Sequence, residues 1–239
     1  MKFDIHAHIV KDKNEYAIDE LLADMTKNDI EKRVISTFDG DTIKQGNEDV
    51  AALVRQYPDK LIGCALLNPA LHSIEDDIEH ALSLPEIKMI ELNSFIHGYF
   101  PDHCEGVEIL FQYLAKHSMP IKIFSGLGAH ALPHQWERYV KKYPMIPFVF
   151  LHLGCFDYGY GCVDIIKRNA NAYAETSNQY ELQILKKAFS EIDINKIVFG
   201  SSYPERFTRN GYEIYDLFPL SKEDREQIEK ENMKILLKV

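Results

Sequence analysis

The chain has 239 residues, 46% of them hydrophobic, and a formal net charge of −10, which suits one sizeable core and a single domain over residues 1–239. The acidic balance and the scattered Lys and Arg exclude nucleic acid and anionic membranes as expected partners, because both are bound through clustered basic side chains. No leader precedes the first apolar run and no apolar stretch approaches the roughly 20 residues of a membrane span, so we expect a cytoplasmic protein.

Eight short runs rich in Val, Ile, Leu or Phe predict β-strands, and segments with apolar residues at helical spacing lie between them. Near the C-terminus, Ser221 followed by Asp224 predicts the capped start of a last helix. Eight alternations in this length favour a (β/α)8 TIM barrel, an α/β fold. A doubly wound parallel sheet is the alternative, although no glycine-rich nucleotide motif follows the first strand. The predicted strands cover residues 2–9, 33–38, 61–68, 87–93, 120–125, 147–153, 172–177 and 196–201.

The first predicted strand ends in two histidines, His6 and His8, that are separated by one residue. Alternation along a strand places both imidazoles on one face, where stiff backbone presents two ligands to a metal ion. Neutral imidazole binds Zn²⁺, Mn²⁺ or Fe²⁺, so this pair predicts part of a metal site. The alternative interpretation is a pair of polar residues that only terminate the strand.

Polar residues also stand at the ends of later strands, where the active sites of (β/α)8 barrels lie. Glu91 and Asn93 end the fourth predicted strand, and His152 closes the sixth. A carboxylate within an apolar strand is costly unless a metal ion, a cation or a proton compensates its charge. Glu91 and His152 are therefore candidate catalytic residues.

A second interpretation of Glu91 involves Lys122 on the fifth predicted strand. If Phe124 points into the barrel, Lys122 does too, because residues two apart in a strand share a face. Glu91 and Lys122 would then lie on neighbouring strands, and an ion pair would satisfy both charges without a metal. Glu91 can therefore be interpreted either as a metal ligand or as the partner of Lys122 in an ion pair.

Two loops supply candidate substrate-binding residues. The stretch 93–103 is dense in aromatic and His residues, as expected of a loop that closes over a small-molecule substrate, and it makes Asn93 and His97 candidates. After the eighth predicted strand, Arg206 stands near the barrel mouth, where a guanidinium can pair with a substrate carboxylate. The alternative for the stretch 93–103 is an aromatic loop that only packs over the barrel rim. The alternative for Arg206 is an exposed arginine at the rim without a substrate-binding role.

Several stretches of the chain resemble the amidohydrolase superfamily, in particular its amidohydrolase-related branch of metal-dependent hydrolases and non-oxidative decarboxylases. The resemblance implies that His6 and His8 bind a divalent metal, and that His152 binds the metal or contacts the substrate. It implies a catalytic centre, with Zn²⁺ as the expected ion and Mn²⁺ or Fe²⁺ as alternatives, and a homodimer as one assembly. The ligand set would be His6, His8, Glu91 and His152. The similar stretches are residues 3–8, 120–126, 152–154, 199–204 and 231–237.

Two positions depart from the family pattern. Phe124 stands where the family usually has a metal-binding His, and Ser202 stands where it has an Asp that serves as ligand and base. Phe cannot bind a metal, and Ser replaces Asp poorly in either role at neutral pH. Glu91 is a residue that would restore one of the lost ligands.

These residues support three interpretations of function. The first is a hydrolase of a small amide, ester or lactone that uses metal-activated water, with His152 and Glu91 as its catalytic residues. The second is a metal-dependent decarboxylase of a small carboxylic acid, with Arg206 on the carboxylate. The third is a diverged, non-catalytic barrel that has lost the fifth-strand His and the eighth-strand Asp.

Overall fold

Eight parallel strands form the central sheet of the computed structural model, which describes residues 1–239 apart from the side chain of Asp157. They lie side by side in the order in which they occur along the chain, and a separate two-stranded hairpin lies between the first and the second of them in sequence. The predicted (β/α)8 TIM barrel is confirmed. The strands are β1 Lys2–His8, β2 Lys11–Asp12, β3 Glu15–Tyr16, β4 Ile30–Ser36, β5 Leu61–Leu67, β6 Ile87–Leu92, β7 Ile121–Phe124, β8 Phe148–Leu151, β9 Ala172–Glu175 and β10 Ile197–Val198.

Amphipathic helices alternate with the strands and bury their apolar faces against the sheet. In α1, for example, Leu21 and Met25 are buried while the acidic residues of its first turn are exposed. The predicted capping box is present at Ser221 and Asp224, where the C-terminal helical segment begins. The helices are α1 Ile18–Lys27, α2 Ile43–Gln56, α3 Ile74–Ser83, α4 Ser94–His97, α5 Glu105–His117, α6 Pro133–Lys142, α7 Gly159–Arg168, α8 Leu182–Glu191, α9 Thr208–Glu213, α10 Lys222–Glu226 and α11 Asn232–Leu237.

The barrel interior has an apolar layer that lies below the polar strand ends. Residues from most strands form this layer, and three residues of α11 pack against it. Met89 belongs to it, and Glu91, two residues later on β6, lies on the same face at the strand end. The layer consists of Phe3, Ile5, Val34, Ile62, Cys64, Met89, Val149, Val198, Met233, Leu236 and Leu237.

The strand β1 is irregular where it changes from apolar to polar interior residues. Its register with β4 shifts between Asp4 and Ala7, which allows Ile5 to join the apolar layer while His6 and His8 line the end of the barrel. Hydrogen bonds from Ile5 N to Phe199 O (3.1 Å) and from Ser202 N to His6 O (2.8 Å) join β1 to the segment after β10. This contact joins the two edges of the sheet.

The observed strand bounds differ most from prediction at the second and last barrel strands. The second starts three residues earlier than predicted, at Ile30, and ends at Ser36. The last is only Ile197–Val198, because the chain leaves regular pairing with β9 at Phe199 and bonds to the irregular end of β1 instead. Among the described residues, no helix combines the length and apolar character that a membrane crossing requires.

Candidate metal centre

Three buried side chains, His6, His8 and Glu91, converge at the C-terminal end of the barrel. One potential ligand atom from each lies within 4.8 Å of the other two, and the imidazole centroids of His6 and His8 are 4.9 Å apart. The two histidines come from the last residues of β1, and Glu91 comes from the end of β6. Two imidazoles and one carboxylate are a donor set that binds divalent transition metals.

The Glu91 carboxylate has protein partners on both oxygens. Its Oε1 accepts a hydrogen bond from His8 Nε2 at 3.0 Å, and its Oε2 lies 3.0 Å from Lys122 Nζ and accepts from the Ser36 hydroxyl. Burial alone would raise the pKa of Glu91, but Lys122 and His8 hold it well below its ordinary value. Glu91 is therefore ionised at neutral pH.

The ion pair between Glu91 and Lys122 is present in the structure. The two residues are register partners on β6 and β7, and both side chains are fully buried. Burial alone would lower the pKa of Lys122, but the ionised Glu91 carboxylate beside it raises the pKa above its ordinary value. Glu91 thus contacts a cation and a potential metal-binding histidine at the same time.

The histidine His8 lies between two carboxylates. Its Nε2 contacts Glu91, and its Nδ1 donates to Glu205 Oε1 at 3.1 Å. Burial alone would lower the pKa of His8, but the charge of Glu91 and the hydrogen bond to Glu205 raise it to about 9. His8 is an imidazolium at neutral pH in this geometry, and its Nε2 proton would leave when that atom binds a metal.

Glu205 contacts the cluster, although it was not among the residues predicted from the sequence. This half-exposed residue follows the last strand by several positions, and its carboxylate reaches back to His8. A ligating histidine usually donates its second N–H to a carboxylate or a carbonyl group, which is the relation that Glu205 has to His8. The only signal in the sequence was its position in the loop after the eighth predicted strand, where Arg206 was the predicted substrate-binding residue.

The imidazole of His6 is neutral. Burial and the charges of Lys122 and His8 lower its pKa well below the ordinary value. Lys122 Nζ lies 3.2 Å from His6 Nδ1, and an ammonium group can only donate, so this nitrogen accepts. The Lys122 side chain therefore contacts both His6 and Glu91.

The imidazole of His152 stands beside the cluster, with its centroid 5.2 Å from that of His6. Its Nδ1 lies 3.1 Å from the carbonyl oxygen of Ser177, which can only accept, so Nδ1 carries the hydrogen and Nε2 carries a lone pair. Burial lowers the pKa of His152 to about 4. His152 is therefore a neutral hydrogen-bond acceptor at neutral pH.

The carboxylate of Glu175 holds the segment that carries His152. It accepts hydrogen bonds from the backbone N–H of His152 (2.9 Å) and from the backbone and side chain of Ser177. Burial raises the pKa of Glu175 to about 7 despite these donors. His152 itself has a positive φ of 60°, a conformation that these contacts stabilise.

The two departures from the family pattern give the site an aromatic wall and a neutral hydroxyl. The ring of Phe124 packs edge-on against His152 at a centroid distance of 5.2 Å, and it stacks on Phe95. Ser202 is buried, and its backbone N–H donates to His6 O. Phe124 thus limits access to His152 on one side, whereas Ser202 helps to fix the end of β1.

The three predicted substrate-binding residues are not members of the cluster of His6, His8 and Glu91. Asn93 is buried and accepts from Ile96 N at 3.0 Å, which caps the short helix α4. His97 lies behind Phe38, whose ring is 5.0 Å from His8 and 6.3 Å from His97. Arg206 is exposed and donates to Asn178 Oδ1. Their role in substrate binding stays a prediction.

The donor set fits a divalent ion. His6, His8 and Glu91 are buried, close together and on stiff strand ends, which matches a centre with three protein ligands and an open position. His152 is the fourth predicted ligand; its ring centroid is 5.2 Å from that of His6, but it is not one of the three residues whose ligand atoms lie within 4.8 Å of one another. The pairing of Glu91 with Lys122 reduces the negative charge that this carboxylate offers to an ion.

Comparison with known proteins agrees with this fold. A family model described as amidohydrolase matches residues 3–236, whereas no curated protein matches the chain. A solved amidohydrolase II is 17% identical, with a TM-score of 0.78 and 100% of both chains covered. A manganese-bound 5-carboxyvanillate decarboxylase from Novosphingobium aromaticivorans is 16% identical, with a TM-score of 0.73 over 92% of this chain and 80% of that chain. A 2,6-dihydroxybenzoate decarboxylase from Rhizobium is 15% identical, with a TM-score of 0.73 over 99% of this chain and 98% of that chain.

The family model covers nearly the whole chain, including both strand-end histidines, the β6 carboxylate and the segment after β10. These are the positions from which the buried cluster is built. The protein therefore belongs to the amidohydrolase family.

Proposed function

We propose that this protein is a metal-dependent hydrolase of a small amide, ester or lactone, with Zn²⁺ as its preferred ion. The observation that carries the proposal is the convergence of His6, His8 and Glu91 at the active-site end of the barrel. A divalent ion bound there would polarise a substrate carbonyl and lower the pKa of a water molecule. The remaining chemistry belongs to the side chains around the cluster.

Each of these side chains has a distinct role in the proposed reaction. Glu91 Oε1 and His8 would hold the ion, and Glu205 would orient His8 through its Nδ1 hydrogen. His6 would join them through Nε2 once the hydrogen on that atom leaves, because its Nδ1 accepts from Lys122. His152 offers the Nε2 lone pair, which accepts a hydrogen bond and then a proton from the attacking water. Glu175 acts through His152, because it fixes the backbone from which the imidazole projects.

The rim would bind the substrate. Arg206 has a guanidinium at the barrel mouth that can pair with a carboxylate, and Asn93 and His97 belong to the segment that follows β6. The aromatic wall of Phe124 and Phe95 suits an apolar substrate body.

Decarboxylation of a small carboxylic acid is the second candidate. It is supported by the similarity in fold to a manganese-bound 5-carboxyvanillate decarboxylase and to a 2,6-dihydroxybenzoate decarboxylase. In this reaction Arg206 would bind the carboxylate, and an imidazole would deliver the proton that replaces carbon dioxide. Mn²⁺ or Fe²⁺ would then be alternatives to Zn²⁺.

A non-catalytic barrel is the third candidate. The observation in its favour is that Glu91 already has charged partners in Lys122 and His8, so the cluster is electrostatically balanced without an ion. Phe124 and Ser202 stand where the family pattern has a ligand and a base. Under this proposal the barrel would bind a ligand without converting it.

Metal content is the first test of the proposed function. We would measure it by mass spectrometry in the wild type and in a His6→Ala, His8→Ala double variant that is purified identically. A His72→Ala, His117→Ala variant is the matched control, because both of these histidines are exposed. We expect near-stoichiometric metal in the wild type and the control, and loss of the ion in the double variant.

The loaded protein would then be assayed on a panel of esters, amides and lactones, and on small aromatic acids. Hydrolysis supports the first proposal, whereas release of carbon dioxide supports the second. Absence of metal from the wild type, even after incubation with Zn²⁺ or Mn²⁺, would contradict both enzymatic proposals and favour the non-catalytic barrel.

A further inference from the structure

The ammonium group of Lys122 has the surroundings of a bound cation. Its Nζ lies 3.0 Å from Glu91 Oε2, 3.2 Å from His6 Nδ1 and 3.4 Å from Ser36 Oγ. These are a carboxylate, an imidazole and a hydroxyl, and they match the three N–H donors of an ammonium group. The Lys122 side chain is fully buried, so its charge is neutralised inside the cluster and not by solvent.

The acceptors around Lys122 are also atoms that a second metal ion would need. In two-metal sites the ions lie roughly 3.5–4 Å apart and share ligands between them. Glu91 is the carboxylate placed to be shared, because its Oε1 faces His8 and its Oε2 faces Lys122. The Oε2 side of this carboxylate is occupied by the ammonium group.

We propose that the Lys122 ammonium fills one cation position of the cluster, so that the wild-type centre holds no more than one divalent ion. This inference rests on the proposed metal site and specifies how many ions that site accepts. Lys122 is a positioning residue in this arrangement, because its Nζ contacts Glu91 Oε2 and His6 Nδ1. The atoms left for the ion are Glu91 Oε1, His8 Nε2 and His6 Nε2.

The test compares ion stoichiometry in the wild type and in Lys122→Met, which keeps an unbranched side chain one atom shorter and removes the charge. Both proteins would be stripped of metal and titrated with Mn²⁺, and the bound ions would be counted by native mass spectrometry. We expect one ion in the wild type and one more in Lys122→Met. Lys122→Arg keeps the charge and is expected to match the wild type.

The outcomes separate this inference from the proposed function. No ion in the wild type and one ion in Lys122→Met would contradict the proposed function, but it would support a cation role for Lys122. Equal numbers of ions in the two proteins would overturn the inference, and so would two ions in the wild type.

The wild type alone provides a second test, because Lys122→Met leaves Glu91 without its cation and can fail to fold. Electron paramagnetic resonance distinguishes an isolated Mn²⁺ ion from an exchange-coupled pair. At saturating Mn²⁺ we expect only the isolated-ion spectrum, and a coupled-pair spectrum would overturn the inference.

Discussion

Two buried carboxylates, Asp4 and Glu91, each contact a buried cation, but the other partners of the two pairs differ. Asp4 lies 2.8 Å from Arg33 Nε and accepts further bonds from the backbone and hydroxyl of Ser201. The Arg33 guanidinium also binds Asp24 and Thr208, at 2.8 and 3.2 Å. These contacts join β1 and β4 to α1 and α9, and they use backbone and side-chain donors that have a structural role.

Around Glu91 the additional partners are the Ser36 hydroxyl and the imidazole of His8. His8 contacts Glu91 Oε1, and Lys122 contacts both Glu91 and His6. A metal ion can replace a proton on an imidazole, whereas it cannot replace the backbone and guanidinium donors around Asp4. Burial and a cationic partner are common to both carboxylates, so these two features do not indicate which one would bind a metal ion. An imidazole partner distinguishes Glu91 from Asp4.

The largest expected effect on stability comes from Arg33→Met, which removes the ion pair between Arg33 and Asp4. This change leaves Asp4 and Asp24 without their cation in a buried environment, and such losses cost about 3–5 kcal/mol. The free energy of unfolding, measured by urea titration, should fall by this amount while metal content per folded chain stays unchanged. A loss below about 1 kcal/mol would show that the network around Asp4 is not structural.

The next effect is the pH dependence of stability contributed by His152, whose pKa is lowered from 6.5 to about 4. The folded state resists protonation, so this stability is present above pH 6.5 and is lost as the pH falls toward 4. Relative to His152→Asn, the wild type should lose roughly 3 kcal/mol across this window. Asn suits the positive φ of 60° at this position. Parallel pH profiles of the two proteins would contradict the assignment of His152 as a buried neutral imidazole.

A smaller effect on stability, but a clear one on metal binding, is expected for Glu205→Gln. Glu205 is half-exposed, so its pair with His8 should contribute less than about 1 kcal/mol to folding. Loss of its carboxylate should weaken metal affinity by about 10–100-fold, because His8 loses the group that orients it. Isothermal titration calorimetry with Zn²⁺ would measure this, with Glu213→Gln as the control for an exposed carboxylate. Equal affinities in the two variants would show that Glu205 does not support the centre.

The smallest effect is expected for Arg209→Gln, which breaks the exposed pair between Arg209 and Glu213 within α9. Exposed pairs four residues apart in a helix contribute about 0.3–0.5 kcal/mol. Urea unfolding of this variant supplies the surface reference for Arg33→Met. If Arg33→Met and Arg209→Gln lost similar stability, the buried pair would not stabilise the fold more than the exposed pair does.

The sequence by itself determined the barrel and the residues at its strand ends. Short apolar runs alternating with helical patterns predicted eight strands, and period-two alternation predicted that His6 and His8 share a face and that Lys122 neighbours Glu91. These features depend on local periodicity and on the order of strands in a parallel barrel, which a single sequence records.

Only the tertiary structure decided the other partners of the two cluster histidines, His6 and His8. His8 and Glu205 are 197 residues apart, and Lys122 and His6 are 116 residues apart. The contact with Glu205 depends on the path of the loop after β10, where no periodic pattern guides the direction of a side chain. Asp4 also lies in an apolar strand, two residues before His6, so the sequence pattern alone does not distinguish it from Glu91. The fold separates the two carboxylates, because the irregular register of β1 directs Asp4 toward Arg33 and His6 toward Lys122.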